Sequence, residues 1–360
     1  MGQNNPQVPW TDEQWACVNQ IIQDEAQRAR VAATFLPLYG PLPASADFVR
    51  SEVISYDPLL SIADEKTIEL SILKLNVRVR GEQLADPEMR SVLALFRRAA
   101  NVIARLEDAL IFNGYGGYDA DLPHGAVDIG QKIWGPETVG LLKTASGNKP
   151  KPEPITDGNA LVTAVTYSIG LLEGHGHFGP FAVVLSQDLF SLAQKPVNIL
   201  DNGSNSLDGP SFVPQSRILP LLGGGSLLRS SALPDDKGLV VALGGAPIEL
   251  VVATDMSLQF LQVTVDAYFI FRIFEKIVLR IKEPDALVEL TSETNGNDGN
   301  NQNGGKNGNG AKAQALKTKE GTKRTRRKKP AKSKEPRSRA ANRGRRSQVH
   351  VNRSRRRTPS

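Results

Sequence analysis

Residues 68–114 place two demanding patterns back to back. In IELSILKLNVRVRG, Ile68, Leu70 and Ile72 share one side; then Leu73, Leu75, Val77 and Val79 alternate with Lys74, Asn76, Arg78 and Arg80. Period-2 alternation with a basic outer row is the pattern of a strand buried on one side only. Asp86-Pro87 supplies an N-cap and first-turn signal. Val92, Leu93, Phe96, Ala99, Ala100, Ile103, Leu106 and Leu110 then recur at helical spacing up to Asn113-Gly114, a helix-stop pair.

The rest of the chain divides by composition. Residues 1–40 read as an arm and a helix bearing Val18, Ile21, Ile22, Ala26 and Ala29. Pro41 to Lys66 is extended and irregular, and Tyr115 to Pro154, rich in Gly and Pro, is a connection. Thr156 to Glu173 carries a second amphipathic helix, Phe181 to Leu185 a short buried strand, and Ser186-Gln187-Asp188 the cap of another helix. Lys195 to Phe212 is a polar loop, and Ile218 to Val241 mixes short apolar runs with turns at Gly223–Gly225 and Pro234–Asp236. From Thr291 on, SETNGNDGNNQNGGKNGNG offers nothing apolar to bury and reads as a flexible linker. Residues 311–360 carry a net charge of +18, which leaves −12 for residues 1–310 of a chain whose total is +6. An acidic body with a basic tail is the better description, and such a tail cannot fold against its own repulsion.

The residue chemistry argues against catalysis. His175-Gly-His177 is the only histidine cluster, and spacing places no third metal ligand beside it; a turn before a strand accounts for it. LLGGGSLL lacks the lysine of a phosphate-binding loop, so Gly223–Gly225 reads as a turn. Glu107 and Asp108 are adjacent and point apart on a helix, a poor acid–base pair. No metal, cofactor or enzymatic activity is expected. The one cysteine, Cys17, excludes an internal disulfide, suits a reducing cytoplasm and is expected as a small buried residue. No stretch reaches about 18 apolar residues, and MGQNNPQVPW lacks the features of a secretory signal. The expectation is a soluble protein of the cytoplasm.

Three segments together resemble the encapsulins, shell proteins built on the tailed-phage major capsid fold. They are VPWTDEQW with Pro9, Thr11, Glu13, Gln14 and Trp15, followed by a helix closed at Leu38-Tyr39-Gly40; the strand and helix ending RLEDALIFNG; and Ile248 to Leu290. In the last, Asp255-Met256-Ser257 corresponds to a turn, Phe269, Phe271 and Phe274 to a Phe-rich strand, and Pro284-Asp285-Ala286-Leu287 to its ending. The resemblance implies an α+β fold of the Hong Kong phage type. It would comprise an N-terminal arm and helix (1–40), an extended loop (41–67), a peripheral domain (68–154 and 246–290) and an axial domain (155–245). An Asn/Gly linker (291–311) and a disordered basic tail (312–360) would follow.

By the same resemblance the chain works by assembling with itself into an icosahedral nanocompartment around a cargo enzyme such as a peroxidase or ferritin-like protein, away from any membrane. The extended loop would reach over a neighbouring subunit. Trp15, Val31, Phe35, Asp255, Met256, Leu258 and Phe260 would line the cargo-binding inner wall. The loop from Lys195 to Gly209, with Lys195, Asp201 and Asp208, would line a pore at a symmetry axis. Apart from the resemblance, the tail clusters Lys323, Arg324, Arg326, Arg327, Lys328, Lys329 and Arg343, Arg345, Arg346, Arg353, Arg355, Arg356, Arg357 read as binding nucleic acid or another polyanion through counterion release, without reading sequence, in preference to serving only as a solubilising tail. No aromatic residue is interleaved with them for base stacking. Two alternatives stay open at this point: the capsid protein of a virus or prophage, and a free nucleic-acid-binding protein.

Overall fold

The computed structural model describes residues 7–55, 59–63, 66–114, 139–150, 154–198 and 211–292. Helix α1 (Asp12–Ala29) starts at Thr11, whose hydroxyl accepts from Gln14 N while the Gln14 side chain accepts from Thr11 N, so two end donors are satisfied reciprocally. It buries Trp15, Val18, Ile22 and Ala26 and leaves Cys17 exposed. The burial expected for that cysteine is corrected here: its neighbour Val18 takes the inward position. A single turn, α2 (Ala32–Phe35), leads into the edge strand β1 (Leu38–Tyr39). Leu38-Tyr39 therefore does not close the first helix; it pairs in parallel with Leu250 and Val251. Gly40 allows that pairing, because at φ +136° a Cβ would lie 2.3 Å from the Val252 carbonyl oxygen.

The described residues of segment 41–67 are more ordered than their sequence suggests. They form β2 (Phe48–Arg50), β3 (Val53–Ser55), β4 (Ser61–Ala63) and β5 (Thr67–Glu69), paired as β2–β5 and β3–β4. Strand β6 (Ser71–Arg80) follows and has the expected alternation: Leu73, Leu75, Val77 and Val79 are buried, and Asn76, Arg78 and Arg80 are exposed. A short turn, α3 (Gly81–Leu84), separates it from the long helix α4 (Arg90–Asn113). This helix begins later than Asp86-Pro87 implies. Asp86 instead accepts from Glu88 N in a local turn, and Met89 sits at φ 50° just before the first helical residue. Gly114 ends the helix at φ 77°, as its sequence indicates.

The second half contains α5 (Leu141–Ala145), α6 (Gly158–Gly174), β7 (Phe181–Leu185), α7 (Gln187–Gln194), β8 (Val197–Asn198), β9 (Ser211–Phe212) and α8 (Pro214–Ile218). After a 3-10 turn at Leu219–Leu222 come β10 (Leu227–Arg229), β11 (Lys237–Ala242), β12 (Ile248–Val263), β13 (Tyr268–Ile281) and, past a second 3-10 turn at Pro284–Ala286, β14 (Leu287–Thr291). Asp157 caps α6 and Ser186 caps α7. Gly223 and Gly224 sit at positive φ in the turn before β10.

Two four-stranded sheets organise these elements, in the orders β1-β12-β13-β6 and β10-β7-β11-β14. Helix α4 packs on β6 and β13, and α1 packs on α4 and β12, so one face of the first sheet is covered twice over. Helix α6 covers β11 and β14, and α7 lies against β7. The boundary drawn at 246–290 cuts across this arrangement, because β14 pairs with β11 in the second sheet after β13 has paired in the first. Asp255-Met256-Ser257 is likewise no turn. It is an irregularity within β12, and the hairpin turns at Thr264–Ala267.

Candidate functional site

The face of the first sheet covered by α1 and α4 is filled by aromatic rings. Phe271 on β13 stacks against Trp10 at 5.2 Å between centroids and meets Phe96 of α4 edge-on at 5.4 Å. Trp10 also contacts Trp15 at 4.9 Å, and Phe260 of β12 contacts Phe271 at 5.4 Å. Such offset and edge contacts add about 0.5–1.5 kcal/mol per pair to the burial of the rings. Trp10 lies outside the helical pattern, so periodicity could not single it out.

Beside the rings lies a buried charge cluster. Arg30, at the junction of α1 and α2, sends its guanidinium to Glu107 of α4, Asp255 of β12 and Glu275 of β13. The Asp255 oxygen is 2.9 Å away and the Glu107 oxygen 2.5 Å. Glu107 and Glu275 are 1% and 0% exposed at the side chain, whereas Asp255 is 55% exposed. One cation therefore faces three carboxylates, two of them out of water. Burial pushes Glu275 up to about 7 and Glu107 well above the usual carboxylate range; the Glu275 and Asp255 charges raise Glu107 further and Asp255 raises Glu275, while Arg30 pulls both down and a hydrogen bond with Glu107 lowers Glu275. Burial opposes the charge of Arg30 too, but Glu275, Glu107 and Asp255 together raise its pKa.

The next residue on α4 does something different. Asp108 accepts from Val31 N and Ala32 N, the first donors of α2, at 2.8–3.0 Å. Burial still pushes its carboxyl up to about 7 against those backbone donors. Glu107 and Asp108 do point to separate partners, as adjacency requires. Sequence reasoning missed that both are buried and that both clamp the α1–α2 corner.

A second cluster holds the base of segment 41–67. Arg280 of β13, 1% exposed, pairs with Glu249 and lies 3.1 Å from Glu52. Lys282 reaches Glu249 at 2.6 Å, and Lys276 reaches Asp47 at 2.6 Å. With its base held in this way, the segment presents Phe48, Leu59, Leu60 and Ile62 to solvent, each more than half exposed.

The residues expected to line an inner wall fall close together, and most are covered within the chain. Trp15, Phe35, Met256 and Leu258 are buried, Val31 and Phe260 are half-buried, and Asp255 is exposed. Gln23 donates to the Met256 carbonyl at 2.5 Å and ties this stretch of β12 to α1. Lys195 is exposed at the C-terminal end of α7, and Asp201 and Asp208 lie outside the described residues. So do His124, His350 and every basic residue named in the tail. No helix among the described residues is long and apolar enough to cross a membrane.

Comparison with known proteins matches residues 3–121 and 135–278 to the family described as encapsulating protein for peroxidase. The chain is 26% identical over 304 residues to the type 1 encapsulin shell protein EncA of Myxococcus xanthus, covering 78% of this chain and 93% of that protein. Its fold is similar to that of a virus-like particle from Pyrococcus furiosus, with a TM-score of 0.57 at 16% identity over 77% of this chain and 99% of the other. A Microbacterium phage structure aligns with a TM-score of 0.50 at 13% identity, over 74% and 91%.

Proposed function

Because this chain belongs to the family of encapsulating proteins for peroxidase, a family of structural shell proteins, we propose that its copies close into a nanocompartment around a cargo enzyme. One observation carries the assembly reading. Leu59, Leu60 and Ile62 stand 64–76% exposed on a segment whose base is held by ion pairs from the buried Arg280 and Lys276 of β13 to Glu52 and Asp47. Contiguous exposed apolar side chains of this kind mark an interaction surface. Their occupant in this reading is a neighbouring copy, since subunits of closed assemblies share one surface type repeated by symmetry.

Purified protein should scatter light as large closed particles and show hollow shells in negative stain. Leu60→Asp should release free subunits of unchanged circular dichroism. A monodisperse monomer or dimer of the parent chain at physiological salt would overturn the assembly reading.

The cargo, in this reading, meets the stretch around Val31, Phe35, Asp255, Met256, Leu258 and Phe260 beside Trp15, with Asp255, Val31 and Phe260 offering the accessible surface. A peroxidase is the first cargo to test, because the family is described by it. Co-purified protein should be protected from protease only while the shell is intact. The 195–209 loop, with Lys195, Asp201 and Asp208, is proposed as the pore lining, whose charges would set which ions pass. A density map that places it away from every symmetry axis rejects that assignment.

The tail is proposed to hang outside on a linker that spans on the order of 20 Å as a random coil. Many tails on one particle would bind polyanions multivalently, with a steep salt dependence. Nucleic acid that survives nuclease treatment of intact particles would place the tail inside instead.

A further inference from the structure

Spacing places no further potential metal ligand beside His177, but the fold brings two carboxylates next to it. His177 closes the turn between α6 and β7, where Gly176 stands at φ +90° and His177 N donates to the Leu172 carbonyl at 2.9 Å. Its ring is almost wholly buried and faces the 3-10 turn that links β13 to β14. That turn is equally fixed: Glu283 N donates to the Pro247 carbonyl at 3.2 Å, and Ala286 N to the Glu283 carbonyl at 3.2 Å. His177 Nε2 lies 3.1 Å from Asp285 Oδ1, and ligand atoms of His177, Glu283 and Asp285 all fall within 4.8 Å of one another.

We propose that His177, Glu283 and Asp285 form a binding site for one first-row divalent cation, which would join the α6–β7 turn to the β13–β14 connection. The donor set is one imidazole nitrogen and two carboxylates, which suits such cations and disfavours magnesium and calcium with their preference for oxygen alone. Bonds of about 2.0–2.2 Å to nitrogen and carboxylate oxygen put neighbouring ligand atoms roughly 3.0–3.5 Å apart around an ion. The His177–Asp285 pair is already at that spacing. The wider limit closes by rotation of the half-buried Glu283 side chain, and no described side chain hydrogen-bonds or ion-pairs with its carboxylate. Lys282, the residue preceding Glu283, is engaged by Glu249 at 2.6 Å. Asp285 is 44% exposed at its side chain and gives the ion a route from solvent. The position suits a staple, because the 3-10 turn is where the chain passes from the first sheet into the second.

The test uses full-length, tag-free protein freed of metal with EDTA, loaded with Zn²⁺ or Mn²⁺, dialysed and assayed by elemental analysis, with Mg²⁺ as control. One equivalent of Zn²⁺ or Mn²⁺ per chain is expected, with a rise in unfolding temperature on loading, since a ligand that binds only the folded chain stabilises it. Glu283→Gln keeps the His177–Asp285 hydrogen bond and so reports on the metal alone; it and His177→Ala should lose both the bound ion and the temperature rise. Retention of the ion by both variants, or no retention by the parent chain, would overturn the proposal. Neither readout depends on particle formation, so the result is independent of the shell reading.

Discussion

Strand β7 is buried at every position by apolar side chains, whereas β13 carries Glu275, Lys276 and Arg280 into the interior alongside Phe271, Ile273 and Ile277. The sheets around them differ in the same way. In the second sheet Glu289 is the buried carboxylate among the described residues, and Lys237, still 24% exposed, reaches it at 2.7 Å from the rim. In the first sheet, charges pin three chain corners that burial alone would leave loose: the α1–α2 junction, the β12 irregularity and the base of segment 41–67. Apolar packing is non-directional, so it can hold a sheet under helices but fixes a corner poorly. A guanidinium shared by several carboxylates fixes directions, at the cost of desolvating them.

The largest effect should come from removing the cation. Arg30→Met leaves Glu107 and Glu275 buried without their partner and should cost about 3–5 kcal/mol at pH 8, the range for a broken buried pair. At pH 5 both carboxyls take up protons and the cost should shrink. Leu239→Ala, in the apolar second sheet, should cost about 2–5 kcal/mol at either pH. Denaturant unfolding of the two variants at both pH values checks the contrast. Equal losses for Arg30→Met at pH 5 and pH 8 would show that the cluster is not what stabilises the corner.

A smaller effect separates the titration from the ion pairs. Glu275 has a folded pKa of about 7, above its ordinary 4.5, and Asp108 and Glu107 are raised in the same sense. Between those values the folded chain holds protons that the unfolded chain has released. The contribution of Glu275 is therefore full below about pH 4.5 and is lost as pH rises through 7, with Asp108 and Glu107 acting in the same direction. Glu249 and Glu289 are lowered instead, by Lys282 with Arg280 and by Lys237 with Lys149, each against its own burial; their contribution is lost only as pH falls through the acid range. The window from pH 5 to 8 thus reports on the Arg30 cluster together with Asp108. Unfolding temperature should decline across it, and Glu275→Gln, which cannot titrate, should make that decline shallower.

How legible these features are in the sequence depends on how local their causes are. The alternation of β6, the stop of α4 at Gly114 and the Ser186 cap each rest on neighbours a few residues apart, and each stands in the structure. The Arg30 cluster draws on residues up to 245 positions apart, and no spacing rule connects them. Asp255-Met256-Ser257 has the composition of a turn. It stays in the strand because β13 pairs on both sides of it and Gln23 holds the Met256 carbonyl. Segment 41–67 reads as irregular because strands of three residues are too short to show a period.

The smallest predicted effect tests whether local capping matters beside such a cluster. Thr11→Ala removes the hydroxyl that accepts from Gln14 N at 3.2 Å and should destabilise by about 1 kcal/mol. The Gln14 side chain still accepts from Thr11 N at 3.0 Å, so only one of the two reciprocal bonds is lost. The far end of α1 is secured separately: Arg30 N donates to the Ala26 carbonyl at 3.0 Å while its guanidinium enters the charge cluster. Hydrogen exchange should therefore speed up in the first turn of α1 and stay unchanged near Arg30. If protection falls along the whole helix, the N-terminal cap and the buried cluster act as one cooperative unit, and the corner depends on both.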